Sequence, residues 1–490
     1  MTTTERSGAD GALTFPDGFA WGTATSAYQI EGAVSADGRS PSVWDTFSRV
    51  PGKVSHGDTG DIASDSYHRY REDVALMASL GLNAYRFSIA WPRVQPGGRG
   101  AMNEKGLDYY RSLLDELAAH GIAAAVTLYH WDLPQELQDE GGWAVRSTAE
   151  RFADYAAAVA GALGDRVARW ITINEPQVVA NHGYRTADHA PGISDPAAAA
   201  AATHHLLLGH GLATRALRDV LGGAVPVGIT YDLHPVRALG SPGRDGDPGQ
   251  AAEDGRQDVV EQARRIRDAE LNRLYLEPVL HGRYPAHVRP DILPPRSLIA
   301  PGDLELIGQP VDFLGVNYYA PVYLRAGDPA DLRRYERPVP GEMPGVVEYA
   351  PDWLERTDMD WLVEPDGLYD TLMGLSKDAP GLPLYITENG CAAPDYVNPG
   401  GEVNDAERVS YLHEHLEAAA RAIRDGANLD GYYLWSLIDN FEWGWGYQKR
   451  FGIVFVDFGT QRRIPKSSAR FYSEVARANA VPALPANSPA

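Results

Sequence analysis

Two short runs concentrate the chemistry of this 490-residue chain. Thr172-Ile173-Asn174-Glu175-Pro176 and Ile386-Thr387-Glu388-Asn389-Gly390 each place a glutamate after a β-branched apolar stretch. A breaker, Pro176 or Gly390, follows within two residues. Each stretch reads as a strand, so each glutamate sits at a strand end. Two carboxyl groups on opposite sides of an acetal carbon can cleave it: one protonates the leaving oxygen, and the other attacks or activates water. Either glutamate alone is an ordinary loop carboxylate. As a pair in one fold they make cleavage of a glycosidic bond the leading chemistry.

The elements that would position them follow from periodicity. Tyr67, Tyr70, Val74 and Met77 recur at helical spacing before Gly81. Leu107, Tyr110, Leu114 and Leu117 do so before Gly121, and Val409, Leu412, Leu416 and Ile423 before Gly426. Each reads as an amphipathic helix closed by glycine. Strand-like runs cover Phe19–Thr23, Asn83–Trp91, Ala123–Asp132, Arg169–Pro176, Val225–Pro235, Asp312–Pro321, Leu382–Gly390 and Asp430–Asn440. Strand–helix alternation implies parallel strands joined by crossovers, and eight such runs suggest an α/β fold of the closed (β/α)8 TIM-barrel type with long βα loops. A doubly wound open sheet usually carries a phosphate loop, and neither GxGxxG after a strand nor GxxxxGK[ST] is present. Six runs end in polar or aromatic groups, among them Arg86, His130, Asn174, Glu175, Asn317, Tyr319, Glu388, Trp435 and Asp439. In a barrel those ends converge on one mouth. The expected layout is one barrel over 15–475, a flexible arm over 1–14 and an Ala/Pro tail over 476–490. Gly240–Gln250 reads as a mobile loop, and Ala197–Ala202 as plain helix.

Composition narrows the function. Lys and Arg number 44 against 66 Asp and Glu, a net charge of −22. Such a surface repels nucleic acid and anionic lipid, so neither is expected as a partner. No run is apolar for long enough to span a bilayer, and no signal peptide is visible. One cysteine, Cys391, precludes an intrachain disulfide. Together these readings predict a soluble cytoplasmic protein acting on a small molecule, with oligomeric state open. The 11 Trp and 25 Tyr exceed what a core requires and suit a site that stacks on sugars.

The ordered motifs carry a resemblance. They are Phe19-Ala20-Trp21-Gly22, Tyr28-Gln29-Ile30-Glu31-Gly32, Ser42-Val43-Trp44-Asp45 and Tyr85-Arg86-Phe87-Ser88. His130-Trp131-Asp132-Leu133-Pro134, the NEP, NYY and TENG runs and Trp435 through Trp443 complete the set. From about Phe15 to Tyr472 the chain resembles family 1 glycoside hydrolases, the retaining β-glucosidases. The resemblance implies Glu175 as general acid/base and Glu388 as nucleophile, roughly 5–5.5 Å apart. It implies Arg86 and Tyr319 as supports of the nucleophile. Gln29, His130, Asn174, Glu442 and Trp443 would hold the hydroxyls of the −1 sugar, Trp435 would lie beneath its ring, and Trp361 would line the aglycone entrance. The implied activity is an exo-β-glucosidase, active also on β-galactosides and β-fucosides, with a part in cellulose degradation. No metal and no cofactor is implied.

The alternatives are a transglycosidase, a 6-phospho-β-glycosidase and a non-catalytic sugar-binding protein. Glu442 disfavours a phosphorylated sugar, with Lys449 and Arg450 read as structural cations. Both glutamates are present, which disfavours a binding protein. Gln177 and Val178 stand where the family often has Trp and Cys, and Ala187 where it has Gly, so aglycone preference is left open. His204-His205 and His413/His415 do not share a helix face as metal ligands would. Cys391 reads as a small buried filler.

Overall fold

The computed structural model describes residues 13–239, 256–341 and 343–482. Eight parallel strands close into a barrel in chain order: β1 Ala20–Ala24, β2 Ala84–Ser88, β3 Ala123–Tyr129, β4 Arg169–Asn174, β5 Val227–Asp232, β6 Phe313–Asn317, β7 Leu384–Asn389 and β8 Leu429–Trp435. All eight expected runs are barrel strands, trimmed by a few residues at their ends. A helix follows each: α1 Ser66–Ser79, α2 Glu104–Ala119, α3 Arg146–Leu163, α4 Pro196–Leu221, α5 Leu274–His281, α6 Pro365–Asp378, α7 Ala406–Arg424 and α8 Ser467–Ala478. The three helices read from periodicity are α1, α2 and α7. Gly81, Gly121 and Gly426, just past their ends, all have positive φ, which a Cβ disfavours. The Ala run opens α4, where the Asp195 carboxylate accepts from the Ala197 and Ala198 amides and Pro196 takes the first turn.

Register sets the mouth. Across β1, Ala24 pairs with both Arg86 of β2 and Trp435 of β8. Asn317 of β6 pairs with Glu388 of β7 and with Asp232 of β5. The ladders slip before Glu388 in β7 and before Asn174 in β4. Such irregularities re-aim side chains near active sites. Gly390 then turns the chain where a Cβ would lie 1.8 Å from the Trp435 carbonyl, so the TENG glycine answers a close backbone approach.

Two small sheets add to the barrel, the first of them outside the expected 15–475 limits. Leu13–Thr14 pairs antiparallel with Ala480–Val481, tying the two ends of the described chain together. A four-stranded accessory sheet forms from Val236–Ala238, Val322–Ala326, Val346–Tyr349 and Glu336–Pro338 beside the β5 and β6 loops. The expected loop at Gly240–Gln250 lies outside the described residues, as do 1–12 and 483–490 of the expected arm and tail. Among the described residues no helix is long and apolar enough to cross a membrane.

Below the mouth a buried charge cluster ties the loops after β7 and β8 to α8. Asp439 accepts from Lys466 at 2.7 Å, from Arg450 at 2.6 Å and from the Gly452 and Val456 amides. Asp395 bridges Lys466 and Arg408, and Arg408 also pairs with Asp405. Lys466 is fully buried, and burial pulls its pKa down against the attraction of its carboxylates. Asp439→Ala would strip one of those carboxylates away, so it should lower unfolding stability by roughly 3–5 kcal/mol, read as a reduced denaturant midpoint.

Candidate active site

Each of the two glutamates ends a strand and is almost wholly buried, Glu175 at 4% and Glu388 at 3% exposure. Glu175 follows β4 in the left-handed region at φ 50°, a conformation that costs a non-glycine residue about 1–3 kcal/mol. Its amide bonds the Thr230 carbonyl at 2.9 Å, and Pro176 starts a helical turn directly behind it. That turn runs into a π-helix over Val179–Arg185. The backbone is thus locked on both sides of the strained residue.

One hydrogen-bonded chain joins the two carboxyls. The Arg86 guanidinium donates to Glu388 Oε1 and to Asn174 Oδ1, each at 2.5 Å. Asn317 Nδ2 donates to Asn174 Oδ1 at 3.2 Å and to Glu175 Oε1 at 2.6 Å. Thr387 in turn donates to Asn317 Oδ1 at 2.7 Å, which fixes the orientation of that amide. Tyr319 donates its phenol to Glu388 Oε2 at 2.7 Å.

The two carboxyls live in different fields. Burial pushes Glu175 well above the usual carboxylate range, and the charges of Glu388 and Asp232 push it further; Asn317 offers only a neutral donor against them. Burial also raises Glu388, while Arg86 and Tyr319 pull it back down. The resemblance implied those two groups as supports of Glu388. Each favours its ionised form, but burial outweighs them. The order survives: Glu175 holds its proton longer than Glu388.

Around the pair opens a cleft of about 550 Å³. His130, Glu175, Asp232, Tyr319, Trp361, Glu388, Trp435, Glu442 and Trp443 contribute to its walls. The His130 ring stacks near Trp435 and Trp443, at 5.8 and 6.1 Å between centroids. Burial, then Arg86, hold His130 neutral. Its Nε2 accepts from Asn174 Nδ2 at 3.2 Å, leaving Nδ1 without a partner. Asp232 Oδ1 and Glu442 Oε2 are likewise buried and unpartnered. Burial and the nearby Glu388 raise Glu442 to about 8, so at neutral pH it can both donate and accept. Tyr319, Trp361 and Phe451 form a second aromatic group on the wall.

Ten of the expected residues therefore gather at one mouth: Arg86, His130, Asn174, Glu175, Tyr319, Trp361, Glu388, Trp435, Glu442 and Trp443. Gln29, like Arg86 and Asn174, is fully buried. Its amide nitrogen is spent on Asn440 Oδ1 and the Phe441 carbonyl, and its oxygen accepts from Ser26. It clamps the segment that leads into Glu442. Sequence reasoning noted Asn317 as a strand end but gave it no role, and passed over Asp232, whose carboxylate pairs with His234 at 2.8 Å. The two-residue spacing of Asp232 and His234 at a strand end was the available signal.

The remaining singled-out residues take structural places. Lys449 pairs with Asp358 and Arg450 with Asp439. Ala187 holds φ 61°, which explains the usual glycine there. His204 bonds Asp303 and Tyr284, and His205 the Trp143 carbonyl. Among the described residues no three His, Cys, Asp or Glu side chains group as metal ligands would. Cys391 is buried, and burial lifts its thiol to about 12.

A barrel with two unlike carboxyls facing a cleft of aromatic rings and unpartnered polar atoms has the make-up of a glycoside hydrolase. Comparison with known proteins agrees. The glycosyl hydrolase family 1 model matches residues 12–481, and the chain belongs to that family. It is 50% identical to thermostable beta-glucosidase B of Thermobispora bispora over 96% of this chain and 93% of that one. It is 43% identical to the bifunctional beta-D-glucosidase/beta-D-fucosidase of Bifidobacterium breve, over 94% and 97%. Among solved structures, the beta-glucosidase of Thermotoga maritima in complex with glucoimidazole superposes with a TM-score of 0.86 at 40% identity, covering 95% and 99%.

The field argument has a direct consequence. Tyr319→Phe removes a donor to the ionised form of Glu388, so the pKa of that carboxyl rises. The acid limb of kcat/KM should move to higher pH by about 1 unit, with the alkaline limb little changed. A pH–rate profile of the variant reads this.

Proposed function

We propose that the protein is a retaining exo-β-glucosidase, releasing terminal non-reducing β-D-glucosyl residues from oligosaccharides and aryl or alkyl glucosides. The observation that carries this is the unequal environment of two carboxyls linked through Arg86, Asn174 and Asn317.

In the first step a Glu388 oxygen bonds to the anomeric carbon as the glycosidic C–O bond breaks, and Glu175 gives its proton to the departing oxygen. Loss of the attacking carboxylate's charge favours the next step, because Glu175 then faces one fewer negative neighbour and works as a base. Water attacks the anomeric carbon, Glu175 takes its proton, and the bond to Glu388 breaks. Two inversions give net retention. Arg86 and Tyr319 hold Glu388 in place and carry its charge. Asn174 meets the 2-hydroxyl. His130, Glu442 and Trp443 meet the other hydroxyls, Trp435 lies beneath the ring, and Trp361 borders the leaving group. Gln29 holds the Asn440–Phe441 segment through its amide nitrogen, and its Oε1, which accepts one bond from Ser26, keeps a second lone pair for a sugar hydroxyl.

The names of relatives support the sugar class. Those include a beta-D-glucosidase/beta-D-fucosidase and a 1,4-beta-D-glucan glucohydrolase of Thermotoga neapolitana. A role in breaking down cellulose-derived oligosaccharides fits, as does a cytoplasmic setting for a chain with one buried thiol. A transglycosidase would share the covalent intermediate and differ only in the acceptor. A 6-phospho-substrate is disfavoured, because Glu442 on the cleft wall brings no positive charge and Lys449 at the rim is already paired with Asp358.

Initial rates on nitrophenyl glycosides test the reading. The β-glucoside should turn over, with the β-fucoside and β-galactoside following and no release from the α-glucoside. Activity confined to 6-phospho-β-glucoside would overturn the role given to Glu442. Silence across the panel from folded protein would favour a binding protein instead.

A further inference from the structure

The aromatic residues of the cleft differ in depth. Trp435 and Trp443 are 4% and 5% exposed, Trp361 is half-buried, and Trp445 is 46% exposed while lining the same cleft. The other widely exposed tryptophan, Trp353, is not part of the cleft wall. Trp445 thus adds an accessible apolar face to a cleft whose other indoles lie deeper.

Trp445 is also held firmly. It lies in the short helical turn Trp443–Trp445, which begins at Glu442. Its amide bonds the Glu442 carbonyl at 2.8 Å, and the Glu442 amide bonds the Gly446 carbonyl at 2.6 Å. Gly446 has φ 59° and packs where a Cβ would meet Asp58 at 2.3 Å. Asp58 then accepts from the Tyr447 amide at 3.1 Å. One clamped turn therefore points a carboxyl and an indole into the inner cleft and a second indole to its rim. Lys449 connects that rim to the opposite loop. Its ammonium lies 5.3 Å from the Trp445 ring centre and 3.1 Å from the carboxylate of Asp358, in the loop that carries Met359 and Trp361. The rim adds polar groups at Ser55 and at the His182–Asp188 pair.

We infer that Trp445 is a platform for the leaving group, binding the apolar face of a pyranose beyond the cleaved bond and so setting a preference for longer β-glucosyl chains. This rests on the glycosidase reading and names a substrate class for it. A pyranose face carries a row of C–H groups that removes indole surface from water, while its edge hydroxyls need polar partners such as those on this rim. An aryl or alkyl leaving group shares the apolar face but uses none of the rim's polar groups.

β-D-Glucosyl fluoride separates the two readings, because its leaving group is a single atom that reaches no outer wall. Wild type and Trp445→Ala are compared on glucosyl fluoride, cellobiose, cellotriose, cellotetraose and octyl β-glucoside. Trp445→Ala should lower kcat/KM for cellotriose and cellotetraose by about tenfold, cellobiose less, and glucosyl fluoride by less than twofold. Trp445→Phe should restore most of the loss. An unchanged cellotriose rate would overturn the platform. An equal loss on glucosyl fluoride would also overturn it, since the turn would then act only by placing Glu442. A loss confined to octyl glucoside would overturn the saccharide assignment. If wild type itself leaves glucosyl fluoride untouched, the glycosidase reading fails, and the platform with it.

Discussion

Arg86 is a fully buried guanidinium within barrel strand β2, and the active mouth is organised around it. A buried cation is tolerated only when carboxylates and acceptors surround it. Glu388 supplies the charge and Asn174 the second acceptor, each at 2.5 Å. That single demand fixes both the nucleophile candidate and the amide beside the acid/base candidate. Asn317 extends the chain of bonds to Glu175, so the spacing of the two carboxyls is set by a rigid relay across β2, β4, β6 and β7 and not by loops. The same ion makes the two glutamates unlike. Glu388 sits against the cation, and Glu175 sits one amide away, among other carboxylates.

The barrel makes this relay possible. Parallel strands in sequence order bring side chains 88 and 302 positions apart to one level, as the Arg86–Asn174 and Arg86–Glu388 hydrogen bonds show. Small shifts in the ladders then turn Asn174 and Glu388 toward the axis. The local cost of that aim appears in the left-handed backbone of Glu175. Strain concentrated at one reacting residue, with well-bonded neighbours on each side, is the usual economy of a preorganised site.

Much of this was legible in the residues alone. Short strand-like runs located all eight barrel strands, and helical spacing closed by glycine located α1, α2 and α7, because both signals are local. Nine of the ten converging site residues lie in or just past a barrel strand or on the turn after β8, and Trp361 comes from the long loop between β6 and α6. What escaped was non-local. Nothing in the sequence near Gln29 announces that its amide is consumed by Asn440 and Phe441, since those partners lie more than 400 residues away. Asn317 shows its importance only when Thr387 and Asn174 close around it. The pairing of Leu13–Thr14 with Ala480–Val481 joins the two ends of the described chain, which no local pattern can reveal. The net effect of burial on Glu388 is likewise a property of the closed mouth and not of its two partners.

The central claim is that Glu388 forms the bond to the sugar while Glu175 handles the proton. Glu388→Gly, given 2,4-dinitrophenyl β-glucoside and azide, tests it most directly, with the product's anomeric configuration read by proton NMR. Azide entering the space left by the carboxylate should restore part of the lost turnover and yield α-glucosyl azide. Folded variant with no rescue, or rescue that yields the β-azide, would contradict the assignment.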